Sequence, residues 1–244
     1  LAVFAMAIAG LFSAVPTSVL PINIEIIVAI IIGYLIYKRG MDALIPSLIA
    51  LVVLYIFVWI GSYTPISLES FGVAADNVRN KYINDLGYIA EVDDGGKYYI
   101  YIEDRTAGFY GVNTPYNDGT GKTFIVMDNE YEQGEFYTTG IEAMKITIAH
   151  EFFHAIQRNY RNLTAPVNNS SGYFYELTAT WIEDVIVPDG DDYLLWVDSF
   201  FNNPDQDISD TDGYSIALFG HYLSTIVEGE WDETNSTIIR RIWD

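Results

Sequence analysis

The stretch AHEFFHAIQ, residues 149–157, holds two of the three histidines in this 244-residue chain, His150 and His154, four positions apart. On a helix, positions i and i+4 share a face, so the two imidazoles point the same way about one turn apart. That arrangement suits two nitrogen donors on one metal ion. Glu151 follows the first histidine, and in an H-E-x-x-H pattern this position supplies a general base rather than a ligand. A catalytic zinc takes three protein ligands and keeps one position open for water, so a third ligand is required. The competing explanation is a pair of histidines held by hydrogen bonds on one helix face.

The spacing after His154 narrows the choice. A glycine at 157 with a histidine at 160 would complete a three-histidine metzincin site; Gln157 and Tyr160 stand there instead. The segment YELTATWIED (175–184) offers Glu176, 22 residues after His154, on a second helical pattern. Glu183 lies two turns further on, along the same face. Asp212, in the acidic stretch DQDISDTDG (205–213), is a weaker choice of third ligand. The alternating aspartates of that stretch also resemble a calcium loop. They lack the EF-hand order and its closing glutamate, so a solvated acidic loop fits better and Ca2+ stays a minor alternative.

Two neutral imidazoles and one carboxylate leave a zinc centre with net positive charge, enough to bring a bound water to a pKa of about 7. Glu151 can accept that proton and pass it to a leaving amine. The oxyanion of a tetrahedral intermediate needs a donor as well. His221, the remaining histidine, is the leading candidate, with Tyr214 and Tyr222 close by in sequence.

The elements that must position these groups follow from periodicity. The spacing predicts a helix from Gly140 to about Tyr160, with Ile141, Met144, Ile148, Phe152 and Ala155 as its core face. Upstream, YIAEV (88–92), DDGG (93–96) and KYYIYIED (97–104) read as strand, turn and strand. KTFIVMD (122–128) reads as a further strand, placed to pair with an extended peptide as a sheet edge. Downstream, a polar linker (161–172) separates the motif helix from a second helix over 173–187, ended by Pro188. Helical patterns follow over 193–202, 213–229 and 236–243, and the chain stops inside the last, as expected of a piece of a longer protein. The fold class is therefore α+β: a small mixed β-sheet, then the motif helix, then a helical C-terminal part.

His150-Glu151-x-x-His154, followed by Glu176 on a second helix, resembles the gluzincin metallopeptidases, the broad thermolysin-like class. The chain is more closely similar to a group of exported prokaryotic proteins classed as metallopeptidases. These carry an HEFFHAIQ-like helix and then an E-x-x-A-T-W-x-E-D helix, here residues 150–157 and Glu176 to Asp184. The similarity extends to YSIALFGHYL (214–223) and the closing IIRRIWD, and covers roughly residues 140–244. The resemblance implies a zincin-like domain with one catalytic Zn2+ on His150, His154 and Glu176, Glu151 as base, and a protein or peptide as substrate. Thermolysin-type enzymes often place an aspartate four residues after the ligand glutamate, orienting a zinc histidine. Thr180 stands there in this chain, which leaves Glu183 and Asp184 as the nearby carboxylates for that role.

The N-terminal quarter reads differently. Residues 1–61 contain three apolar stretches, 1–15, 22–37 and 43–60, and their charges (Glu25, Lys38, Arg39, Asp42) sum to zero. A membrane span needs about 20 apolar residues, with roughly 17 as the lower limit. The third stretch meets this, the second is slightly short, and the first is a truncated helix or the remains of a signal peptide. We read residues 1–61 as an anchor of two to three transmembrane helices and 62–244 as the catalytic domain. Lys38-Arg39 is the basic loop, and basic loops stay in the cytoplasm. The expected location is therefore the cell membrane, with residues 62–244 outside the cell. The whole net charge of -21 lies in that part, which argues against nucleic acid as a partner. An intramembrane protease is a poor alternative, because Glu142, Lys145, Gln157, Arg158 and Arg161 make the motif helix too polar for a lipid-facing span. The alternative from another class is a catalytically inactive, zinc-stabilised domain that binds a partner at the surface. A structural zinc site has no use for Glu151, which favours the enzyme.

Overall fold

α1 starts where Ser67 can cap it. The Ser67 hydroxyl accepts a hydrogen bond from the Ser70 backbone N–H at 3.1 Å, satisfying one of the free donors of a first helical turn. The helix covers Leu68–Asn80 and continues as a π-helical turn over Lys81–Asp85. It buries Phe71, Ala74 and Val78, an i, i+3, i+7 stripe that our sequence reading did not assign to a helix. The computed structural model describes residues 66–105, 109–131, 138–161 and 169–244. These belong to the second of the two units into which the chain divides, Leu1–Pro65 and Ile66–Asp244. The apolar stretches of residues 1–61, and the membrane anchor expected of them, lie outside the described residues. Among the described residues no helix is long and apolar enough to cross a membrane.

The described unit is α+β, with a small mixed sheet of three strands: β1 (Tyr99–Glu103), β2 (Gly111–Pro115) and β3 (Thr123–Asp128). The strand order is β1-β3-β2. β1 runs parallel to β3, with Tyr99 opposite Phe124, and β2 runs antiparallel to it, with Asn113 opposite Ile125. The expected edge strand at 122–128 is thus the central strand. Its near-continuous burial explains why it reads as an apolar run rather than an alternating one. The edges are β1 and β2.

The expected hairpin over 88–104 does not form. The DDGG turn is present, with the Gly96 backbone N–H on Asp93 Oδ1 at 3.0 Å, but residues 88–92 are not a strand. Their backbone is satisfied by side chains of the motif helix: Ile89 N–H donates to Tyr160 Oη, and Ala90 C=O accepts from Asn159 Nδ2.

The motif helix, α2, spans Gly140–Arg161, and α1, β2, β3 and the helix that follows it in the chain all pack on it. Met144, Ile148, Phe152 and Ala155 are buried as expected; Ile141, in the first turn, is instead 50% exposed. Burial from several sides brings in Ala149, Phe153 and Ile156 as well, beyond the single stripe that periodicity suggests. Each fully buried Met, Ile or Phe among them contributes roughly 1.5–3 kcal/mol. Tyr82, in the π-helical turn, is fully buried and donates its hydroxyl to the Ala149 carbonyl at 2.8 Å. That bond fixes α2 one residue before His150.

α3 spans Asn169–Ile186, beginning earlier than the expected start at 173 and stopping ahead of Pro188. The helical patterns further on appear as short pieces: a 3-10 turn over Asp192–Leu195, α4 (Val197–Asn202), α5 (Ala217–Tyr222) running into a π-helical turn over Leu223–Glu228, and α6 (Ile238–Trp243).

Candidate metal centre

α2 and α3 bring three ligand-type side chains to one point. Among the described residues, His150, His154 and Glu176 form one group whose ligand atoms all lie within 4.8 Å of one another. Glu176 Oε2 stands 3.1 Å from His150 Nε2 and 3.4 Å from His154 Nε2. Donors held about 2.1 Å from a tetrahedral zinc are about 3.4 Å apart, so this set fits such an ion. Charge complementarity adds to the fit. Burial works against ionisation of Glu176, but the two histidines outweigh it and hold the carboxyl well below its ordinary range.

The far side of each imidazole is engaged, which selects Nε2 as the inward donor. His150 Nδ1 lies 2.6 Å from Glu183 Oε1. His154 Nδ1 lies 2.7 Å from Gln157 Oε1, and the buried Gln157 amide donates in turn to the Tyr175 carbonyl and to Thr178 Oγ1, both at 2.9 Å. Glu183 therefore takes the orienting place beside His150. Burial pushes its carboxyl up to about 7, with His150 pulling the other way. Thr180, four residues after Glu176, is buried with its hydroxyl unpartnered, and Asp184 faces His221 rather than the centre.

Glu151 is held from the sheet. Its Oε2 accepts the backbone N–H of Asn113 at 2.6 Å, which β2 can offer because it is an edge strand. Gly111 makes this approach possible: a Cβ there would stand 2.6 Å from Thr147 Cγ2 and 3.3 Å from Glu151 Cγ. Asn113 also accepts from Arg158 Nε at 3.2 Å and donates to Tyr98 Oη and Thr123 Oγ1.

A cavity of about 950 Å³ opens here, lined by β2, α2, α3 and the 209–214 segment, with Glu151, His154, Glu176 and Tyr214 in its wall. The Tyr214 ring lies parallel to His150, with 5.6 Å between centroids. Burial, and then the Glu176 carboxylate, push the Tyr214 phenol far above its ordinary pKa, so it stays a donor. Gly213 sets this position. Its φ of +93° suits glycine, and a Cβ there would run into the Tyr173 carbonyl and stand 2.6 Å from Glu176 Cβ.

Not every expected residue joins this group. His221 does not line the cavity; its Nδ1 is 2.8 Å from Glu233 and its Nε2 is 3.8 Å from Asp184. Tyr222 is half exposed and stacks on Phe219. Asp212 lines the cavity, but its Oδ1 accepts from Ser215 N–H and Oγ. Asp207 likewise caps Ser209, so the acidic stretch 205–213 uses these two carboxylates on its own turns rather than as a calcium loop would. Sequence reasoning missed Asn113 and Arg158. Arg158 had a signal, since 150, 154 and 158 fall at i, i+4 and i+8 on one helix face; Asn113 had none.

Compared with known protein families, curated proteins and solved structures, the chain has no match.

Proposed function

We propose that this chain is a zinc-dependent peptidase of the gluzincin type, with a zincin-like domain tethered to the cell membrane by residues 1–61 and facing outward. The observation that carries the reading is the convergence of His150, His154 and Glu176 beside a separately held Glu151. The first three would hold the ion. When bound, zinc would supply Lewis-acid activation of a water and of the scissile carbonyl.

The protein's own groups do the rest. Glu151 Oε2 is occupied by the Asn113 N–H, which leaves Oε1 to take a proton and return it to the leaving amine. Tyr214 donates its phenolic proton toward the oxygen on which charge develops. β2, an edge strand along the cavity wall, can pair with an extended peptide.

The test is metal content and hydrolysis of the 244-residue chain alongside two variants. A single zinc per chain, lost in Glu176→Ala, and peptide hydrolysis abolished with zinc retained in Glu151→Gln, is the expected result. Zinc retained by Glu176→Ala would dismiss the ligand set. Zinc without hydrolysis in the parent chain would favour the surface-binding domain.

A further inference from the structure

Among the described residues that line the cavity, Arg158 is the one lysine or arginine. Glu151, Glu176, Asp210 and Asp212 also line it. Among the described residues no carboxylate lies within ion-pair distance of Arg158, although Arg79, Lys81, Arg105, Lys122, Arg240 and Arg241 each have one. Its Nε is fixed on Asn113 Oδ1 at 3.2 Å, and its Nη1 is buried with no hydrogen-bond partner. A half-buried cation with no counter-ion, one of whose nitrogens is buried without an acceptor, is costly to hold, and a guanidinium offers a planar fork that matches a carboxylate. The same Asn113 ties Arg158 to Glu151, so the cation and the base belong to one cleft.

We propose that Arg158 recognises a carboxylate on the substrate, either a free C-terminus or an Asp or Glu side chain near the bond that is cut. This rests on the peptidase reading above and names the class of peptide it acts on. The acidic residues on the 209–212 segment repel such a group, which directs it to the Arg158 side of the cleft.

The test titrates the zinc-loaded Glu151→Gln form of the whole chain with three peptides of one neutral sequence. The first is an amide containing Asn, the second an amide with Asp in its place, and the third the Asn peptide as a free acid, with the substituted position scanned along the sequence. One carboxylate peptide is expected to bind about tenfold more tightly than the neutral one, the effect of one charge-assisted hydrogen bond. Which one does so separates side chain from terminus. Adding Arg158→Gln is expected to bring that ratio to near one, and Arg158→Lys to restore part of it. Because the ratio is taken within each variant, loss of folded protein does not imitate the result. Equal binding of all three peptides, no binding at all, or a ratio that survives Arg158→Gln would overturn the inference. Parent chain that cleaves peptides without carboxylate preference would leave the peptidase reading standing and remove this role from Arg158. A carboxylate ratio that depends on Arg158, in a chain that cleaves nothing, would do the reverse.

Discussion

Glu183 Oε1 lies 2.6 Å from His150 Nδ1, and both side chains are buried. The carboxylate sits on the same helix as Glu176, so α3 supplies both a proposed ligand and the group that orients His150, another proposed ligand. Gln157 does the corresponding work for His154. Removing such an outer partner typically weakens metal affinity by about 10–100-fold. Glu183→Ala and Gln157→Leu should each lose zinc to a competing chelator at correspondingly lower chelator concentrations. Parental affinity in both would mean that the imidazoles need no such support.

Gly111 gives a test that leaves the ligands alone. Alanine there meets Thr147 and Glu151, and β2 must move off α2 to admit it. Glu151 would then lose the Asn113 N–H. Gly111→Ala should keep its zinc and lose about 10²-fold in kcat, the order expected when a catalytic group is misplaced by about 1 Å. Steady-state kinetics beside a zinc assay checks this, and unchanged kcat would sink it.

Tyr214→Phe separates stacking from proton donation. The ring contact with His150 survives, and the hydroxyl does not. Loss of one donor to a developing oxyanion costs about 10²–10³ in kcat. We expect a fall of that order with KM and zinc content little changed. A change confined to KM would reassign Tyr214 to substrate binding.

The centre was more legible in the sequence than the sheet beside it. His150, Glu151 and His154 sit on a 22-residue helix whose periodicity is strong, and Glu176 follows on a second one. β2 was not legible because GVNTP is poor in strand-forming residues. It is a strand because it pairs with β3 and because Gly111 lets it lie against α2. The run 88–92 misled for the opposite reason: its composition suits a strand, but side chains of α2 take its backbone groups. In the sequence His221 is a lone histidine near two tyrosines, and only the packing of α5 shows that it faces Glu233 and Asp184.

Asp184 supplies a dependence on pH. Burial, opposed by His221 and reinforced by Glu183, Asp191 and Glu233, raises its pKa from 3.8 to about 7. The unfolded chain releases this proton near pH 4 and the native chain holds it to about 7. Between those values the native state binds more protons, so this group's contribution to stability falls as pH rises and is lost above about 7. Asp184→Asn does not titrate. Its melting temperature relative to the parent should therefore climb between about pH 4 and about pH 7 and level off above, and a constant difference across that range would refute the assignment.

The donor that Asn113 gives to Glu151 belongs to the backbone, whereas its bond to Arg158 belongs to the side chain. Any residue but proline supplies the first; few supply the second. Mutation at this one position would therefore change the hold on Arg158 while Glu151 keeps its backbone donor. On the proposed function, selectivity and proton transfer are thus separable at a single position, one through its side chain and the other through its backbone.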